Sequence, residues 1–136
     1  METGPVSGVG AVIIEGGRIL LVLRGRGAYA GFWAVPGGRQ RFGEPMRAAV
    51  AREVLEETGL VVEVGDPVWV GDIIDRASRP AWHYAIVDFA ATVVGGELSA
   101  GDDAEAVDWV PLEQVGSYRL TPTMEELISR LRSSSR

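Results

Sequence analysis

Residues 38–60 read GRQRFGEPMRAAVAREVLEETGL, and the placement of Glu53, Glu56 and Glu57 in this stretch decides how the rest of the chain is read. Pro45 suits the first position of a helix and disfavours helical geometry at the residue before it, which predicts Glu44 as the N-cap. Gly59 is a natural C-terminal stop. A helix of about fourteen residues spans roughly 21 Å, and the glutamates fall in its last turns at i, i+3 and i+4, on one face. That is the unfavourable end. A helix carries partial negative charge at its C-terminus, so each carboxylate there costs about a few tenths of a kcal/mol, and neighbours at this spacing repel one another. Arg52 is the one internal counter-charge. A fold that keeps the arrangement is expected to set a cation among the carboxylates, and oxygen ligands in that number point to Mg²⁺ or Mn²⁺.

On the N-terminal side, residues 9–14 and 19–23 flank Gly16-Gly17, a dipeptide able to take the positive φ values of a tight hairpin turn. Both segments are apolar at successive positions, which predicts paired strands in a sheet covered on each face. Residues 24–31 read as a loop rich in Gly and Arg, followed by Phe32-Trp33-Ala34-Val35 and Pro36-Gly37-Gly38. On the C-terminal side, residues 61–64, 68–74 and 82–94 are rich in β-branched and aromatic residues and predict three further strands. Residues 97–108 read as an acidic loop, Trp109-Val110 as a short strand, and residues 112–115 as a brief helix. A last helix is capped by Thr121 and started by Pro122, with Met124, Leu127, Ile128 and Leu131 as its apolar stripe. Residues 133–136 are expected to fray. The pattern predicts an α/β protein, a layered α/β/α sandwich, in one domain over residues 1–136.

Composition narrows the chemistry. The chain has 136 residues, 46% of them hydrophobic, and a net charge of −6, which is enough to enclose a core but offers no basic stripe for a nucleic-acid backbone. Every basic residue is arginine and cysteine is absent. Lysine Schiff bases, thiol nucleophiles and disulfides are thereby excluded. The N-terminus has an acidic residue where a signal peptide carries positive charge, and its apolar run is too short to span a bilayer. A cytoplasmic protein without membrane contact is the expectation.

Gly38, Glu44 and the run Arg52-Glu53-Val54-Leu55-Glu56-Glu57-Thr58-Gly59-Leu60 together resemble the complete signature of the Nudix hydrolases. At background residue frequencies a chance match at a given start is on the order of one in a hundred million or rarer. The resemblance implies the Nudix-type α/β/α sandwich with a mixed central sheet. It also implies hydrolysis of a nucleoside diphosphate linked to another group, with water attacking one phosphorus of a pyrophosphate. Carried over residue by residue, it makes Gly38, Glu53, Glu56 and Glu57 the metal ligands, Gly38 through a backbone carbonyl, and Glu53 a catalytic carboxylate oriented by Arg52. Glu44 is either a group that ties down the loop or a simple N-cap. A further carboxylate beyond the box serves many members as base or extra ligand; Asp102, Asp103 and Glu105 are the candidates, with Glu105 placed best.

Arg24, Arg26, Arg39 and Arg41 bracket the loop that opens onto the box and are candidates for phosphate contacts, each against the plain reading of a surface arginine. Trp33 either packs beneath the Gly37-Gly38 turn or stacks on a base. His83, the one histidine, is expected to be structural. The stretch WHYAIVDFAATVVGGELSAGDDAEAVDWVPL resembles small bacterial ADP-ribose pyrophosphatases, which implies ADP-ribose as substrate. A proline that some of those enzymes carry after the box falls here on Arg76, a departure that touches the substrate and not the reaction. The alternatives are hydrolysis of non-canonical or oxidised nucleoside triphosphates and non-catalytic nucleotide sensing. The family often forms dimers, so a homodimer is possible for this chain.

Overall fold

The computed structural model describes residues 4–27, 29–101 and 104–134; Asp102, Asp103 and the last two tail residues, expected to fray, lie outside them. The elements run β1 (Val6–Val12), β2 (Ile14–Glu15), β3 (Arg18–Arg24), β4 (Trp33–Ala34), β5 (Gly37–Arg39), α1 (Met46–Thr58), β6 (Leu60–Asp75), β7 (Trp82–Gly96) and β8 (Ala104–Pro111). A 3-10 helix (Leu112–Ser117) and α2 (Pro122–Ser134) follow. The central sheet has the order β5-β1-β7-β6 and is mixed, β1 lying parallel to β7 while β5 and β6 run antiparallel to their neighbours. A second sheet joins β2, β3 and β4, with β8 on the other side of β3. Among the described residues no helix is long and apolar enough to cross a membrane.

The apolar runs fill two layers. Val50 and Val54 of α1 pack on Val9, Ala11 and Phe89 of the central sheet, and on the other side Met124, Leu127 and Ile128 of α2 meet Val12, Leu21, Trp69 and Val110. Successive residues of β1 and β3 therefore serve different layers, which is why both strands are apolar throughout. At about 25 cal/mol per Å² of apolar surface removed from water, such fully buried aliphatic side chains each contribute about 1.5–3 kcal/mol.

The structure corrects several expectations. Gly16 and Gly17 do turn with φ of 57° and 77°, but the hairpin pairs only Ile14 with Ile19 and Glu15 with Arg18. The first strand ends at Val12 because both of its edges are already taken, by β5 and β7. The segments expected at 61–64 and 68–74 are one strand, β6, whose register shifts around Pro67; proline lacks the N–H of a regular ladder, and a bulge absorbs it. Residues 104–108 are not loop but part of β8, held by its ladder to β3. Pro45, with φ −61° and ψ 149°, is itself the N-cap of α1, without a side-chain cap bond, so Glu44 stands one residue further out. Residues 133 and 134 continue α2 rather than fraying.

Candidate active site

Arg52 is the electrostatic centre of the segment that opened the sequence reading. Its guanidinium donates to both oxygens of Glu44, from Nε at 2.8 Å and Nη2 at 2.9 Å, and to Oε1 of Glu53 from Nη1 at 2.6 Å. Nη2 also reaches the Arg39 carbonyl at 2.9 Å, and Nη1 reaches Glu56 Oε2 at 3.5 Å. The paired fork explains why Glu44, outside the helix, faces Arg52 within it. The Arg52 hydrogen bonds and the Arg41 backbone N–H hold the Glu44 carboxyl down at about 2. The bond to Glu44, then those to Glu53, keep Arg52 firmly charged. Glu53 is shifted the other way: burial raises its carboxyl, and the Arg52 contact opposes this without cancelling it.

The carboxylates of α1 do not share one role. Glu53 lies against Gly38 so closely that a Cβ there would stand 2.5 Å from the Glu53 carboxyl carbon. The Gly37 N–H donates to Glu57 Oε1 at 2.7 Å. Both glutamates and both glycines line one cavity of about 500 Å³. Glu56 is not part of that lining; it is exposed and turned towards Arg52 and, at 3.9 Å, Arg41. Among the described residues, no group of three carboxylates is close enough to hold an ion. The sequence reading that set Glu53, Glu56 and Glu57 around one cation thus meets a structure in which the first and last face the cavity and the middle one faces arginines. The chemistry of the set still suits a hard divalent cation, since a half-buried carboxylate with burial working against its charge and a second one beside it gain from positive charge.

Arg24, Arg26 and Arg39 line the same cavity, joined by Tyr29, Trp82 and Tyr84. Trp82 stands edge-on between Tyr29 and Tyr84, with ring centroids 5.8 Å and 5.5 Å away, and Arg39 lies 5.7 Å from the Tyr84 ring centroid and donates to its hydroxyl. Trp33 is not in the cavity lining. It packs edge-on against Tyr118 at 5.2 Å within the layer under α2, which favours packing over base stacking. Glu105 sits on β8, exposed and outside the lining. His83 pairs with Asp72 at 2.7 Å, away from the cavity. Thr121 is at the start of α2, but its buried hydroxyl makes no cap bond and has no hydrogen-bond partner among the described residues.

Sequence reasoning missed Asp88. It occupies β7 among apolar neighbours, is 5% exposed, lines the cavity, and burial pushes its carboxyl up to about 7. A single Asp between the apolar runs Ala85-Ile86-Val87 and Phe89-Ala90-Ala91 was the available signal.

Comparison with known proteins places this geometry. The NUDIX domain model matches residues 4–131. The chain is 37% identical over 111 residues to the ADP-ribose pyrophosphatase of Methanocaldococcus jannaschii, covering 82% of this chain and 64% of that protein, so it spans less than two thirds of that relative. It is 33% identical over 118 residues to the CTP pyrophosphohydrolase of Escherichia coli K12, covering 84% of this chain and 82% of that one. The MutT NUDIX hydrolase of Burkholderia pseudomallei superposes with a TM-score of 0.86 at 33% identity, over 94% of this chain and 98% of that one.

Proposed function

The chain belongs to the NUDIX domain family, and on that premise we propose that it hydrolyses the pyrophosphate bond of a nucleoside diphosphate linked to another moiety, with ADP-ribose as its leading substrate. The observation that supports this reading is the single cavity onto which Glu53, Glu57, three arginines and three aromatic rings open. Aromatic rings and arginines suit a nucleotide's base and phosphates, and the glutamates suit the reacting centre. Members of the family generally use divalent metal ions, and Mg²⁺ or Mn²⁺ fits the oxygen donors Glu53, Glu57 and the Gly38 carbonyl. When bound, such an ion neutralises pyrophosphate charge and polarises its P–O bonds.

The protein's own groups divide the remaining work. Arg52 holds Oε1 of Glu53, and the other oxygen takes the proton of the attacking water as general base, a role that its burial-raised pKa suits. Water then forms a new P–O bond as the anhydride P–O bond breaks, releasing a nucleoside monophosphate and a phosphorylated remainder. The Gly37 N–H keeps Glu57 in place, and Arg24, Arg26 and Arg39 orient the phosphates. Glu105, exposed and off the cavity, has no part in this scheme.

A second reading, pyrophosphohydrolysis of nucleoside triphosphates, is favoured by the likeness to the E. coli CTP pyrophosphohydrolase. Turnover of ADP-ribose and a set of canonical and oxidised triphosphates, with Mg²⁺ or Mn²⁺ and detection of phosphorylated products, separates the two. ADP-ribose should lead; equal or absent turnover of it defeats the first reading. Glu53→Gln and Glu57→Gln should each lower kcat by about a hundredfold or more while the protein stays folded, and Glu105→Gln should leave it unchanged. Ligand binding with no metal-dependent hydrolysis would instead mark a sensor.

A further inference from the structure

One buried carboxyl at the cavity wall has no hydrogen-bond partner among the described residues. Asp88 is 5% exposed, and burial raises its carboxyl, with no hydrogen bond to it among the described residues. It lines the cavity that receives Glu53 and Glu57. A buried hydroxyl or carboxyl left unpaired costs about 1–3 kcal/mol, and native chains rarely retain such groups without a use. The backbone also makes room for it: Gly10 lies opposite Asp88 in the sheet, and a Cβ at Gly10 would stand 2.2 Å from Asp88 Oδ1.

We propose that Asp88 reads the nucleobase and selects bases that carry an amino group beside a ring nitrogen acceptor, as adenine does. The inference rests on the nucleotide reading given above and names the substrate class within it. A phosphate is the wrong occupant beside this carboxyl, which repels it when ionised and is flanked by apolar side chains. A base edge is the right one. The walls beside Asp88 include Val35 and Ile86, apolar surroundings that raise the carboxyl to about 7 and hold its protonated form below that. A protonated carboxyl offers one donor and one acceptor side by side. Adenine N1 accepts the first and its N6 amino group donates to the second. Hypoxanthine and guanine present a ring N–H where adenine has an acceptor, and an oxo group where it has the amine.

AMP and IMP differ in that edge alone, so their affinities for the folded protein, measured by calorimetry without turnover at a pH below that at which Asp88 ionises, isolate the inference from the reaction. Wild type should bind AMP at least about tenfold more tightly than IMP, because a site built for a polar edge leaves groups unpaired against the wrong one. Asp88→Asn keeps a donor and an acceptor side by side and should preserve that ratio within about threefold. Asp88→Leu, which removes an unpaired buried polar group and so should not unfold the chain, should bring the ratio close to about one. Equal affinity for AMP and IMP in wild type, preference for IMP, or an unchanged ratio in Asp88→Leu overturns the assignment even if ADP-ribose is hydrolysed. The predicted pattern without turnover of any substrate supports it while defeating the hydrolase reading.

Discussion

Arg52 and Asp88 show the two ways this chain handles charge. Arg52 gathers Glu44, Glu53 and Glu56 around one guanidinium, so most of the acidic crowding that the sequence raises is answered within the protein. Lysine, with its point charge, has no fork to match both Glu44 oxygens. Asp88 has no such partner, and its ordinary value of 3.8 moves to about 7. Below about pH 4 both folded and unfolded chains hold this proton, and the contribution of the neutral group is fully present. Between about 4 and 7 the unfolded chain has lost the proton and the folded chain keeps it, so stability declines, and the contribution is gone once pH has risen through 7. The difference amounts to as much as about 4 kcal/mol. Denaturant melts from pH 4 to 8 should show this decline in wild type relative to Asp88→Asn, whose side chain does not titrate; parallel curves for the two proteins would refute it.

At the level of elements, the C-terminus of α1 shows how a helix end that looks unstable in isolation is completed by the chain around it. The Thr58 hydroxyl donates to the Val54 carbonyl and accepts from the Leu60 N–H. The Ser99 and Gly101 N–H groups satisfy the Thr58 and Glu57 carbonyls, which are among the four a helix end leaves open. Gly59 makes the turn into β6 at φ 75°, and a Cβ there would come 2.3 Å from the Glu97 carbonyl oxygen. Gly59→Ala should therefore cost about 2 kcal/mol from left-handed backbone strain alone, with more from displacing residues 97–101. A thermal melt followed by circular dichroism tests this, and an unchanged midpoint would refute it. Gly59 was legible as a stop from its position in the helical pattern. Ser99 and Gly101 were not, because nothing local in an acidic stretch announces that its amides face a helix end.

Across the whole molecule, the cavity exists because the central sheet and α2 enclose it. Gly8, Gly10, Ile86 and Asp88 of the sheet line it together with Thr121, Thr123 and Met124 at the start of α2. Leu127, fully buried one turn beyond Met124, anchors that wall. Leu127→Ala should destabilise the fold by about 3 kcal/mol and raise KM more than it lowers kcat, since it loosens the wall and leaves Glu53 and Glu57 untouched. Denaturant titration and steady-state kinetics on the same preparation check both parts. The sequence by itself determined the helix of residues 46–58, its glycine stop, the apolar strands and the Arg52-Glu53-Glu57 constellation, since these depend on spacing and local conformational preference. Tertiary structure alone decided that β1 leaves its hairpin for the other sheet, that residues 104–108 are strand, and that Glu56 turns to arginines while Glu57 meets Gly37. It also decided that Asp88, far from the box in sequence, shares its cavity. Local pattern reports which face a residue takes along its own strand or helix, whereas neighbours across a sheet are set by pairing between distant segments, which no window of sequence contains.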